Sequence, residues 1–485
     1  MKLYEKSAGE LGKMLRAGDA SAAEITKSYL ARIDEVEGKV DAFLTVTADA
    51  ALKTAALVDK KLSAGETLPP LAGIPIALKD NICVDGVRTT CASKILENFV
   101  PPYDATVVTR MKNNLMPIIG KTNLDEFAMG SSCENSAFKP THNPYDLTRV
   151  PGGSSGGSAA SVAACESVLS VGTDTGGSVR LPACLNGIVG LKPTYGAVSR
   201  SGVVAFGSSL DQVGPFGRTV ADCAMLFDAI AGRDPYDATS THFPYKPIAP
   251  GLKNDVKGLK IGLPREFFGD GIDPAVRASI IGAAKTYEGM GATLVDVDLP
   301  FADYALATYY IISSAEASSN LARFDGVKYG LLADGCKTID EVYFRSRSEG
   351  FGPEVLRRIM LGTYVLASGY YDAYYKQGQK MREKLKQVYA DALTKCDVML
   401  TPTSPTVAFK LGEKATDPVQ MYLSDICTVS INMVQLPALV VPCAQVDGLP
   451  MGFQLIGRKN DEELLFNVAY SYEQTSGTGW VCPKL

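Results

Sequence analysis

Residues 150–180 read VPGGSSGGSAASVAACESVLSVGTDTGGSVR. Two Ser/Gly-rich turns, Gly152–Ser158 and Thr175–Ser178, stand at the two ends of an Ala-rich segment. A Gly/Ser run is ordinarily a flexible linker. This one leads into Ser158–Glu166, which has the composition of a helix, and then into Ser167–Asp174, short, apolar and β-branched like a buried strand. Glycine turns fixed to regular elements aim backbone N–H groups and serine hydroxyls into one place. A phosphate cradle is the competing reading, and it is weak. A P-loop needs a Gly-Lys-Ser/Thr end, and no lysine lies between Val150 and Val179. A dinucleotide fingerprint follows directly on a strand, whereas Arg149-Val150-Pro151 is a poor strand end.

Outward from this stretch, the same texture continues. GIPIALKD (73–80), MPIIGKTN (116–123), SVLSVGTD (167–174) and NGIVGLKP (186–193) each read as a buried strand leading into a turn. Helical pieces at Ala105–Asn113 and Ser158–Glu166 lie between them, an alternation that predicts an α/β layered fold. Residues 1–65 read as an N-terminal helical segment. Ser7-x-x-Glu10 and Ser21-x-x-Glu24 are capping boxes, and Ala48–Leu62 is a third amphipathic stretch. Strand character returns at Leu259–Pro264, followed by a helix over Pro274–Met290. Residues 300–395 read as a mostly helical insertion. Residues 396–485 supply strands at Asp397–Thr403, Ala438–Gln445 and Met451–Gly457, the last two a hairpin around Val446–Pro450, and a closing helix at Glu462–Gln474. No linker separates independent units, so the expectation is a single domain over 1–485 with its core in 70–220.

Composition narrows the chemistry. The chain has 485 residues and a net charge of −5, which argues against its binding nucleic acid by itself. No apolar stretch has the length of a membrane span, and the N-terminus lacks a signal-peptide core. Eleven cysteines without a C-x-x-C pair read as small buried residues of a reducing cytoplasm, not as disulfides or metal ligands. Only two histidines occur, His142 and His242, so a metal site or a Ser-His-Asp triad has almost nothing to be built from. Lysine is then the available base. Most lysines are solvated surface charges, but Lys79 ends the apolar run 73–78, where desolvation disfavours the charged form. A fall of about three pKa units, roughly 4 kcal/mol, makes lysine a usable base at neutral pH. Ser154 and Ser178 are the serines placed to use it. TGGS at 175–178 has the form of a backbone nest suited to an oxyanion.

Lys79, GGSSGGSAASVA (152–163) and DTGGSVRLPACLNGIVGLKPTYG (174–196), in this order and spacing, resemble the amidase signature family. The resemblance implies a large mixed β-sheet covered by helices on both faces. It also implies Ser178 as nucleophile, Ser154 as proton relay behind a cis peptide bond, Lys79 as base, and an oxyanion hole at Thr175, Gly176 and Gly177. Within the family, GKTNLDEFAMGSSCENSAF (120–138), FGPEVLRRIMLG (351–362) and MYLSDICTVSINMVQLPALVVPC (421–443) are similar to the A subunits of tRNA-dependent amidotransferases. That similarity implies a glutamine pocket of Gly130, Ser131, Tyr309, Arg358 and Asp425. Free glutamine carries one carboxylate and one ammonium, and a pocket for it needs one cation and one anion. It further implies no metal or cofactor in this chain, and a heterotrimer with B and C subunits. The B partner would bind the tRNA and use ATP and Mg2+, in the cytoplasm and away from membranes. A stand-alone amidase on small amides is the alternative, since it shares Lys79, Ser154 and Ser178 but has no need of Arg358 and Asp425. One departure stands out: Val434-Gln435 replaces the Ala-Gly pair common before Leu436-Pro437.

Overall fold

The computed structural model describes residues 2–478 and 480–485. Both N-terminal capping boxes form: Ser7 Oγ accepts the Glu10 N–H at 3.2 Å and Glu10 accepts the Ser7 N–H at 2.8 Å, and Ser21 and Glu24 repeat the exchange. They open α1 (Ala8–Ala17) and α2 (Ala22–Val40), which precede α3 (Ala48–Ser63). Among the described residues the strands are β1 (Phe43–Val46), β2 (Ile76–Lys79), β3 (Ile118–Thr122), β4 (Leu169–Asp174), β5 (Val189–Lys192), β6 (Gln212–Gly217), β7 (Lys260–Pro264), β8 (Thr293–Val297), β9 (Val398–Pro402), β10 (Ala438–Val446) and β11 (Leu449–Ile456). They form one mixed sheet in the order β1-β3-β2-β4-β6-β5-β10-β11-β9-β7-β8.

The remaining helices are α4 (Thr106–Asn113), α5 (Gly156–Ala163), α6 (Arg180–Leu185), α7 (Val220–Ile230), α8 (Pro274–Gly289), α9 (Ala305–Asn320), α10 (Ile339–Gly350), α11 (Pro353–Leu366), α12 (Tyr375–Ala392), α13 (Pro418–Leu423), α14 (Val429–Met433) and α15 (Glu462–Ser476). They lie on both faces of the sheet. A Cβ on Gly217 of β6 would meet Asp222 and Cys223 of α7, whereas a Cβ on Gly172 of β4 would meet both Phe216, the residue beside Gly217, and Ser155 at the start of α5. Adjacent strand residues point to opposite faces, so α5 and α7 sandwich the sheet.

Several elements escape a reading from sequence. β1 and β8 are short strands at the two edges, and β6 (QVGPFG) looks like a turn because of its glycines and Pro215. Proline is tolerated there because β5 pairs with β6 only at Phe216 and Gly217. The hairpin turn is tighter than its Val446–Pro450 signal: only Asp447 and Gly448, with φ of 53° and 79°, separate β10 from β11. One cysteine expectation is overturned. Cys165, just past α5, is paired with Cys482 in a disulfide across 317 residues, a distance over which no local spacing rule operates, and the other nine cysteines are free. No helix among the described residues is long and apolar enough to cross a membrane.

For the site, the important feature is that β2 runs parallel to β3 and to β4. The carboxyl ends of β2 and β4 therefore open on the same edge of the sheet, where open α/β sheets bind their ligands. Lys79 ends the first and Asp174 the second.

Candidate active site

Lys79 is wholly buried, and its Nζ lies 2.7 Å from Ser154 Oγ, 2.9 Å from Ser155 Oγ and 3.0 Å from Thr173 Oγ1. Burial drives its pKa down to about 7, against the opposing pull of Asp125, Cys133, Asp174 and Asp211. Near neutral pH about half of the molecules thus carry an uncharged amine. Its surroundings then select one serine. Ser155 Oγ directs its own hydrogen to Thr173 O at 3.1 Å, and Thr173 Oγ1 already accepts from Asn81 Nδ2 at 3.0 Å. Both are acceptors for the two remaining N–H bonds of a neutral lysine, which leaves Ser154 as the hydroxyl free to donate to the Nζ lone pair.

The Gly153–Ser154 peptide bond is cis, as the resemblance implies. Glycine is required at 153, because a Cβ there would overlap Asp125 Oδ2. The first turn is tied to the second by the Ser155 N–H, which donates to Ser178 O at 3.1 Å. Ser178 Oγ itself makes no hydrogen bond among the described residues. Ser178 keeps 7% exposure while Lys79 and Ser154 have none, the order in which an incoming substrate meets them.

The second turn is shaped by Asp174, whose carboxylate accepts from the Gly177 N–H at 2.9 Å and the Val179 N–H at 3.1 Å. Burial alone would raise its pKa, but the two-point ion pair with the equally buried Arg180 prevails and holds it down at about 2. The Gly177 donor of the expected oxyanion hole is therefore engaged within the turn. The N–H groups of Thr175, Gly176 and Ser178 have no acceptor among the described residues. Thr175 Oγ1 is anchored on Asp211 at 2.6 Å, and Gly176 O accepts from Thr428 Oγ1 at 2.6 Å.

The expected glutamine-binding residues converge from distant elements. Asp425 Oδ2, in the segment after α13, accepts from Ser131 Oγ at 2.8 Å and from the Tyr310 hydroxyl at 3.1 Å. Burial raises the Asp425 pKa to about 7, partly offset by these two hydrogen bonds and by Arg358. Arg358, on α11, is held by Glu354 at 2.6 Å, and its guanidinium lies 4.4 Å from the Tyr310 ring and 4.9 Å from the Tyr422 ring. Arg358 and Asp425 do not pair with each other; Tyr310 stands between them. Arg358 Nη1 is buried without an acceptor. A donor left so costs about 1–3 kcal/mol, which a substrate carboxylate would recover. Tyr309, on α9, rests against the second turn: a Cβ on Gly176 would sit 2.5 Å from its hydroxyl. Gly130 adjoins Asp125, whose carboxylate a Cβ at 130 would overlap.

Ser155, Thr173, Asp174, Arg180, Tyr310 and Thr428 also belong to this site, and sequence reasoning does not single them out. The adjacency of Ser155 to Ser154 and of Tyr310 to Tyr309 is a usable signal. Thr428 and Thr173 have none.

Comparison with known proteins places this geometry in context. The Amidase family model matches residues 24–466. The glutamyl-tRNA(Gln) amidotransferase A subunit of Caldanaerobacter subterraneus is 56% identical over 474 residues, which cover 98% of this chain and 97% of that one. The protein of the same name from Heliobacterium modesticaldum is 55% identical over 485 residues, 100% of both chains. Among solved structures, the glutamyl-tRNA(Gln) amidotransferase A subunit of Thermotoga maritima superposes with a TM-score of 0.84 at 40% identity, covering 100% of this chain and 98% of that one. The native peptide amidase of Stenotrophomonas maltophilia superposes with a TM-score of 0.83 at 30% identity, covering 99% and 98%.

Proposed function

The chain belongs to the amidase family, and from that premise we propose that it is the glutamine-hydrolysing A subunit of a tRNA-dependent amidotransferase. Neutral Lys79 takes the proton of Ser154 as Ser154 takes that of Ser178, and Ser178 Oγ attacks the side-chain amide carbon of glutamine. The resulting oxyanion meets the free N–H groups of Thr175, Gly176 and Ser178. The proton returns through Ser154 to the departing nitrogen, the C–N bond breaks, and ammonia leaves a γ-glutamyl ester on Ser178. Water, deprotonated by the same relay, releases glutamate. Arg358 holds the substrate carboxylate and Asp425, with Ser131 and Tyr310 behind it, holds the ammonium. Tyr309 closes the site over Gly176.

The observation that carries this reading is the pairing of one catalytic knot with two separated, buried, opposite charges. A peptide or simple amide needs the first and has no use for the second. The relatives' names, which make each of them one part of an amidotransferase, support work within a complex. Delivery of ammonia to a B subunit that holds the tRNA, ATP and Mg2+, within a heterotrimer with B and C subunits, completes the proposal. The test is mass spectrometry of the intact chain after brief exposure to glutamine. Wild type is expected to trap a γ-glutamyl adduct and Ser178→Ala none. An adduct that persists in Ser178→Ala removes Ser178 from the reaction.

A further inference from the structure

We infer that Asp125 is a positioning residue that sets, from one point, both the relay serine and the glutamine-binding turn; the inference rests on the function proposed above. Asp125 is fully buried in the segment after β3 and touches no reacting atom. Its backbone N–H donates to Ser154 O at 3.2 Å, so the relay serine is held on one side by this residue. Its carboxylate accepts from two loop donors, the Cys133 N–H at 2.9 Å on Oδ2 and the Asn135 N–H at 3.1 Å on Oδ1. The same loop carries Ser131, which reaches Asp425.

The fit leaves no freedom. The carboxylate occupies the space that a Cβ at either Gly130 or Gly153 would need, so the two glycines press on it from the binding turn and from the relay turn. The chemistry also demands a carboxylate. Two N–H donors require two oxygen acceptors, and an asparagine offers one oxygen while turning an NH2 against the other donor. Asp125 therefore transmits any displacement of the 129–135 turn to Ser154, and the reverse. Its negative charge also acts on Lys79, together with Cys133, Asp174 and Asp211.

The experiment measures glutamine and propionamide hydrolysis by Asp125→Asn, with every rate divided by the number of Ser178 sites that a fluorophosphonate labels. A misplacement near 1 Å at a reacting group costs about 100-fold. The expected result is a loss of that order in kcat per labelled site on both substrates, and a raised KM on glutamine alone. A merely structural role lowers the number of labelled sites and leaves kcat per site unchanged. Gly130→Ala, which displaces the same carboxylate without removing its charge, is the second variant and gives the same split, so a failure of Asp125→Asn to fold does not decide the matter. A kcat per site within about twofold of wild type in a folded variant overturns the inference. Absence of Ser178-dependent glutamine hydrolysis in the wild type would overturn the proposed function instead.

Discussion

The site has two halves of different construction. The half proposed to break the bond sits at the carboxyl ends of β2 and β4, in buried backbone turns almost without long side chains except Lys79 and Arg180. The half proposed to recognise glutamine is carried by α9, α11 and the segment around Asp425, where Tyr310 donates to Asp425 and the Arg358 guanidinium lies over the Tyr310 and Tyr422 rings. Turns fixed by a sheet determine where atoms stand to within a hydrogen bond. Helices that carry long side chains determine which charges face the ligand, and can change without disturbing the sheet. This division explains how a peptide amidase and an amidotransferase component share one fold with this chain at 30–40% identity.

The contrast is tested most severely at Lys79. Lys79→Arg keeps a cation at the strand end but cannot lose its proton at usable pH. It is expected to lose up to about 10,000-fold in kcat/KM, as much as Lys79→Ala, and equally on glutamine and on propionamide. Appreciable turnover by Lys79→Arg would remove general-base catalysis from the first half.

A smaller, selective effect belongs to the second half. Arg358→Ala leaves the substrate carboxylate unpaired, at about 2–5 kcal/mol, or about 30- to 5,000-fold in kcat/KM for glutamine. Propionamide, which never uses the guanidinium, should lose far less. Equal losses on the two substrates would make Arg358 a structural residue and favour a stand-alone amidase.

The smallest effect comes from protons. On the proposed mechanism Lys79 acts neutral and Asp425 ionised for glutamine, and burial brings both pKa values to about 7. Each requirement is met progressively as pH rises through 7 and lost as it falls. Log kcat/KM for glutamine should therefore fall below pH 7 with a slope approaching about two, and that for propionamide with a slope of about one. Between pH 7 and pH 6 the two substrates separate by about fivefold. Parallel profiles would take Asp425 out of substrate recognition.

The two halves also differ in how far the sequence exposes them. The bond-breaking half is written in local patterns: glycine turns abutting a helix and a strand, and a lysine that ends an apolar run. The spacing of Lys79, Ser154 and Ser178 is readable, and the structure brings Lys79 Nζ to 2.7 Å from Ser154 Oγ. Even here Asp174, which engages the Gly177 N–H, is not legible, because a carboxylate at a strand end gives no sign of which donors it will meet. Arg358 and Asp425 lie 67 residues apart on unrelated elements, and only a family resemblance singles them out. Tyr310, which separates them, carries no signal beyond a neighbouring tyrosine. The helices between 300 and 395 are legible from composition, whereas β1, β6 and β8 are hidden by brevity or by Gly and Pro content. Gln435, at a φ of 64°, sits in a conformation that favours glycine. That is the residue type common there in the family, so sequence and backbone mark the same departure.

The β10–β11 hairpin is inserted between β5 and β9, in the middle of the sheet. A ribosome making this chain therefore produces the flanks of the sheet first, β1 to β6 on one side and β7 to β9 on the other, and the piece that joins them only after both. Until residues 438–456 emerge, β5 and β9 each lack the strand they pair with in the finished sheet, and unpaired strand edges invite pairing with other chains. Arg180 waits for the same moment, since its partner Gln454 lies on β11. Translation thus reaches Lys79, Ser154 and Ser178 well before it reaches Gln454, the β11 residue that accepts from Arg180 beside them.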